Sequence, residues 1–119
     1  MANIRHFKLE EFASPDEKGS GSNMDIGFLQ MLDNAREIAG IPFKINSGFR
    51  TTKHNKKVGG KKSSSHLRGL ACDIACSDGI TRQKITSALI KAGFRRLGIA
   101  DTFIHCDNDN DKNASIWLY

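Results

Sequence analysis

Apolar residues recur along the chain with two different periods. Ile26, Leu29, Leu32, Ala35, Ile38 and Ala39 follow one another at the spacing of a single helix face and predict a helix over residues 24–39. Asn23 or Asp25 can cap its start, Gly40 supplies a stop, and Pro42 forbids continuation. Ile85, Ala88, Leu89 and Ala92 repeat the pattern and predict a second helix over residues 81–92, capped by Thr81 or Asp78 and closed by Gly93. Residues 41–46, 70–76, 94–100, 102–106 and 115–119 are short apolar or alternating runs that read as strands. Residues 51–58 suggest one short helical turn, and Phe7, Leu9 and Phe12 a short element packed on the body. Polar stretches at 14–23, 59–65 and 108–113 read as connections, the second flexible by its Gly, Lys and Ser content. Strands in succession around two main helices predict an α+β fold with a small, mostly antiparallel sheet.

At 119 residues the chain fits a single domain, residues 1–119. A composition of 39% hydrophobic and 26% charged residues argues against wholesale disorder. No apolar run approaches the roughly 20 residues that cross a bilayer, and residues 1–10 lack the apolar core of a signal peptide. With three cysteines, Cys72, Cys76 and Cys106, an odd count without a leader argues for reduced thiols. Cys72 and Cys76 read as buried strand residues before they read as ligands. The net charge of +5 is concentrated: Arg50, Lys53, Lys56, Lys57, Lys61, Lys62 and Arg68 share one stretch without an acid. Such a field attracts polyanions, and a solvated lysine-rich loop is the plainer alternative.

Three residues depart from the pattern in a way that suggests chemistry. Asp73 interrupts the apolar run Leu70, Ala71, Cys72, Ile74 and Ala75. A carboxylate buried there needs a metal, or an ion pair with an arginine such as Arg50 or Arg68. His66 lies upstream, just before a turn at Gly69 that could fold it back towards Asp73. Alternation places His105 on one strand face with Phe103 and Asp107. Two histidines and one carboxylate would leave a tetrahedral position open, the pattern of a catalytic zinc site; a hydrogen-bonded structural histidine is the competing reading of His105. Asp107, Asp109 and Asp111 also begin like a calcium loop, but Lys112 and Leu118 stand where such a loop needs Gly and Glu. A solvated acidic turn is the better expectation.

The segment Ser64-Ser65-His66-Leu67-Arg68-Gly69-Leu70-Ala71-Cys72-Asp73 matches S-x-H-x-x-G-x-A-x-D. With Ser47-Gly48-Phe49-Arg50 upstream, Phe103-Ile104-His105-Cys106-Asp107 downstream and Trp117 near the end, the chain resembles the zinc D-Ala-D-Ala carboxypeptidase and L-alanyl-D-glutamate endopeptidase family from about residue 24 onward. The resemblance implies a hedgehog-related zinc fold with His66, Asp73 and His105 as ligands of Zn2+. Arg50 would polarise or clamp the substrate, and Ser64 would touch the peptide. His6 and His54 match no ligand position. Several relatives carry a catalytic carboxylate three residues before the last ligand, where this chain has Thr102. Asp101 and Asp107 are the available alternatives for the general base, and either could instead orient His105.

The implied function is hydrolysis of a peptide bond in the peptidoglycan stem peptide, by an endopeptidase or a carboxypeptidase. A chain without an export address would be made in the cytoplasm and reach the wall after release, as a phage or prophage lysis enzyme does. It is expected to act as a monomer, its basic stretch held against anionic wall polymers. The alternative is a zinc-bearing wall-binding module without catalysis. Specific nucleic-acid binding is disfavoured, because no aromatic residue interleaves the basic stretch beyond Phe49 at its edge.

Overall fold

The computed structural model of the chain describes residues 4–119. Its main helices are α1 (Ile26–Ala39) and α3 (Gly79–Ala92), with the short α2 (Thr52–Lys57) between them. The strands are β1 (Ile45–Ser47), β2 (Ala71–Ala75), β3 (Arg96–Ile99), β4 (Phe103–Asp107) and β5 (Ser115–Leu118). The predicted caps are in place: the Asp25 carboxylate accepts from the Phe28 N–H and the Asp78 carboxylate from the Thr81 N–H.

The five strands form one sheet in the order β1-β2-β4-β3-β5. Three pairings are antiparallel and one, β3 with β5, is parallel. The expected α+β architecture with a mostly antiparallel sheet is therefore observed, the pairing of β3 with β5 making the sheet mixed. One difference lies at β1, which is shorter than residues 41–46 suggest and is irregular in register between Ile45 and Ser47. Pro42 has no N–H to give a ladder, so pairing begins only beyond it.

Alternation gives the sheet two unlike faces. Cys72, Ile74, Leu97, Ile104 and Cys106 face the core with Phe28, Leu29 and Leu32 of α1 and Ile85, Ala88 and Leu89 of α3. Asp73, Gly98, His105 and Trp117 belong to the other face, where Asp73 and His105 are direct partners across β2 and β4, and Gly98 and His105 across β3 and β4. The thiols of Cys72 and Cys106 lie 3.7 Å apart on the core side, reduced. Burial pushes the Cys72 thiol well above its ordinary range, and the thiol lies on the core side of the sheet, opposite Asp73 and His105.

The N-terminal segment is tied to α1 by a buried carboxylate. Asp33 accepts from the Arg5 and His6 N–H groups at 3.0 and 2.9 Å and pairs with the Arg5 guanidinium. Burial pushes the Asp33 carboxyl upward, but the hydrogen bonds from Arg5 and His6 outweigh it and hold it below 3.8. A depressed carboxyl stabilises the fold above its unfolded pKa and loses that contribution as pH falls. Asp33→Ala is expected to cost about 2 kcal/mol at pH 7, measured by urea unfolding, with the difference from the parent shrinking as pH falls below 3.8.

Candidate metal centre

The turn that carries His66 is built by its neighbours. Residues Ser65–Arg68 form a 3-10 turn whose cap, the Ser64 hydroxyl, accepts from the His66 N–H. Gly69 ends it at φ 69°, and a side chain there would meet the Asn23 carbonyl oxygen. The Leu70 N–H donates to the Ser65 carbonyl at 3.1 Å, and β2 then starts. The turn is also held from the Ser47–Arg50 segment, where the Arg50 N–H donates to the His66 carbonyl at 3.1 Å. The Gly48 carbonyl lies 2.7 Å from His66 Nδ1. A carbonyl only accepts, so Nδ1 carries a proton and Nε2 is the nitrogen turned towards the site. That atom stands 3.5 Å from Asp73 Oδ1.

Asp73 Oδ1 also lies 3.0 Å from His105 Nδ1, while Oδ2 is 3.5 Å from Arg50 Nη2. Burial pushes the Asp73 carboxyl upward, but His105 and His66 outweigh it and hold it far below the usual carboxylate range. His105 Nε2 is 2.7 Å from Asp107 Oδ2. Burial lowers the His105 pKa, but the Asp107 and Asp73 carboxylates on either side of the ring leave it raised overall. Asp107 is itself fully occupied: Oδ1 accepts from Arg96 Nε at 2.8 Å and from the Asp109 N–H at 3.1 Å.

The donor set fits a small cation. One nitrogen of each histidine and a carboxylate oxygen of Asp73 all lie within 4.8 Å of one another. Tetrahedral ligands about 2.05 Å from zinc stand roughly 3.3 Å apart, and the two separations to Asp73 Oδ1, 3.5 and 3.0 Å, bracket that figure. The ring nitrogens facing away are held by Gly48 and Asp107, the outer support usual for metal-bound imidazole.

The three residues open onto a cavity of about 610 Å³ that Arg50, Lys61, Ser64, Phe103, Trp117 and Tyr119 help to line. Arg50 is held by Ser47, Asn55 and Asp73, leaving two of the five guanidinium donors. Trp117 packs 5.5 Å from the His105 ring and under the Arg96 guanidinium. Tyr119 packs against Phe103 at 5.2 Å.

Not every residue singled out by sequence reaches this cavity. Asp101 is exposed in the bend between β3 and β4 and does not line it. The alternation that would place it beside His105 does not extend so far, because β4 begins at Phe103. The alternative pairing of Asp73 with Arg68 is not seen: Arg68 instead holds Asp109 and Asp111. His6 pairs with Glu37, and His54 sits in α2 outside the cavity lining. The acidic turn is not solvated throughout, since Asp109 is buried among Ser65, Arg68 and Lys112. Asp109 Oδ2 is committed to Arg68 and Lys112 and its Oδ1 to the Asp111 N–H, which opposes calcium.

Sequence reasoning missed Arg96, Asp109 and the role of Gly98. A Cβ at Gly98 would lie 2.6 Å from Trp117 Nε1 and 2.7 Å from Tyr119 Cε2, so only glycine lets both rings lie over β3. Its position across from His105 in the sheet was not readable before the pairing was known. Gly98→Ala is expected to destabilise the protein by about 1–3 kcal/mol through this overpacking, measured by urea unfolding under circular dichroism.

The profile of the family described as Peptidase M15 matches residues 5–107, a stretch that contains all three candidate ligands. No curated protein sequence matches the chain.

Proposed function

The chain belongs to the Peptidase M15 family of metal-dependent peptidases, and we propose that it is a zinc peptidase that cuts a bond in the peptidoglycan stem peptide. The observation that carries this reading is the convergence of His66, Asp73 and His105 at the floor of an open cavity. The bond is either one within the stem, such as L-Ala–D-Glu, or the terminal D-Ala-D-Ala bond. A phage or prophage lysis enzyme that acts on the wall after release is the setting that suits this activity. The lysines of α2 and of residues 59–65 would hold it to anionic wall polymers.

Zinc held by His66, Asp73 and His105 would supply Lewis acidity, polarising a carbonyl and acidifying water. The protein's own residues supply the rest. The Gly48 carbonyl and the Asp107 carboxylate fix the two imidazoles in tautomer and direction. Arg50 aims its two uncommitted N–H groups at the scissile carbonyl oxygen or at a substrate carboxylate. Ser64 lines the peptide's path, and the Trp117 ring shields one side of His105 from water. In this reading Asp107 orients His105 rather than acting as general base, because both its oxygens are engaged.

A second reading, a zinc-bearing wall-binding module without catalysis, draws support from one observation. The carboxylates lining the cavity are Asp73 and Asp107, and neither is uncommitted.

Mass spectrometry of wall fragments digested with the zinc-loaded protein, with and without chelator, separates the two. Hydrolysis predicts a new free N-terminus or a lost D-Ala that chelator abolishes. Asp73→Asn and His105→Ala should remove activity together with bound zinc. Arg50→Ala should keep the metal and lose roughly 10²–10³ in kcat. Asp101→Asn should leave the rate unchanged. A zinc-loaded protein that sediments with walls yet releases no fragment establishes the binding module instead.

A further inference from the structure

Beyond the residues that line the cavity, the turn after β4 holds a further buried carboxylate, Asp109. Asp109 is 2% exposed. Its Oδ2 accepts from the Ser65 hydroxyl at 2.7 Å, forms an ion pair with Arg68, and stands 3.5 Å from Lys112 Nζ. Lys112 reaches onward to the Ser65 hydroxyl at 3.0 Å and the Ser63 carbonyl at 2.7 Å. Ser63, Ser65 and Arg68 belong to the His66 turn or the stretch that leads into it, and Lys112 reaches them from the same turn as Asp109. On its other side, the Asp109 N–H donates to Asp107 Oδ1, and Asp107 Oδ2 holds His105 Nε2.

We propose that Asp109 is a positioning residue for the metal centre, locking the turn that carries His66 to the strand end that carries His105. The inference rests on the metal reading given above and names what sets its geometry. His66 and His105 reach the site from separate elements: β4 lies within the sheet, whereas the 3-10 turn stands outside its ladders. The turn is therefore placed by what grips it. One grip is Gly48 and Arg50, acting on the His66 ring and carbonyl. The other is Asp109, acting on Ser65 and Arg68 on either side of His66. The connection from imidazole to imidazole runs through Ser65, Asp109 and Asp107, with each link a covalent neighbour or a hydrogen bond no longer than 3.1 Å.

A simple staple would hold the turn down without aiming it. A positioning residue sets where His66 Nε2 stands relative to Asp73 Oδ1 and His105 Nδ1, so its loss is read at the metal in protein that remains folded. The experiment uses Co2+ as a spectroscopic probe and Zn2+ in competition with a chromophoric chelator, on the full chain and on Ser65→Ala and Asp109→Asn. Thermal unfolding of each metal-free protein establishes that it is folded.

The expected result is that each variant unfolds cooperatively when metal-free, binds Zn2+ about 10- to 100-fold more weakly, and shows weakened or shifted Co2+ visible bands. Ser65→Ala removes only the two hydrogen bonds of one hydroxyl, to Asp109 and from Lys112, and keeps the test decisive if Asp109→Asn fails to fold. Folded variants with parental affinity and an unchanged Co2+ spectrum overturn the proposal and leave Asp109 a staple. A parent protein that binds neither ion overturns the metal reading itself, and this one with it.

Discussion

The buried carboxylate of Asp73 is the constraint around which the site is arranged. A charge taken out of water costs several kcal/mol unless neighbours replace the lost hydration. Here two imidazoles and a guanidinium do so, from a turn, a strand and the segment that follows β1. Each neighbour then needs an anchor of its own: Gly48 for His66, Asp107 for His105, Ser47 and Asn55 for Arg50. The pattern spreads outward to Arg96, Asp109 and Arg68, so that much of the buried charge in this half of the molecule traces back to one oxygen pair.

The elements with strong local signals were legible. Both long helices start at capping aspartates and stop at glycines; Leu29, Leu32 and Ala35 of one apolar stripe and Ile85, Ala88 and Leu89 of the other are buried in the core, whereas Ile26 and Ile38 at the ends of the first stripe stay exposed. The lone acid in an apolar strand, and a histidine placed before a turn glycine, were enough to bring Asp73 and His66 under suspicion together. Strand alternation added His105, resemblance to a known family implied its role as a ligand and that of Arg50 towards the substrate, and the structure brings all four side chains to one cavity.

What stayed hidden depends on pairing at long range. Nothing in residues 115–119 says that they cross past β4 to lie parallel to β3, so the reason for Gly98 could not be seen. Asp107 was held open between base and orienting partner until its oxygens could be followed to His105, Arg96 and the Asp109 N–H. Asp101 entered through strand alternation carried across a bend, where alternation no longer holds. Asp109 looked like one more acid in a polar turn because its partners lie more than 40 residues upstream in Ser65 and Arg68.

The missing side chain at Gly98 has one more effect. It seats the chain's single tryptophan against a histidine of the candidate centre, with an arginine on its face. Indole emission responds to charge and to paramagnetic or heavy neighbours, and no second indole adds background. The protein thus carries its own optical reporter, sited where ion occupancy and substrate entry would each alter the light it gives back.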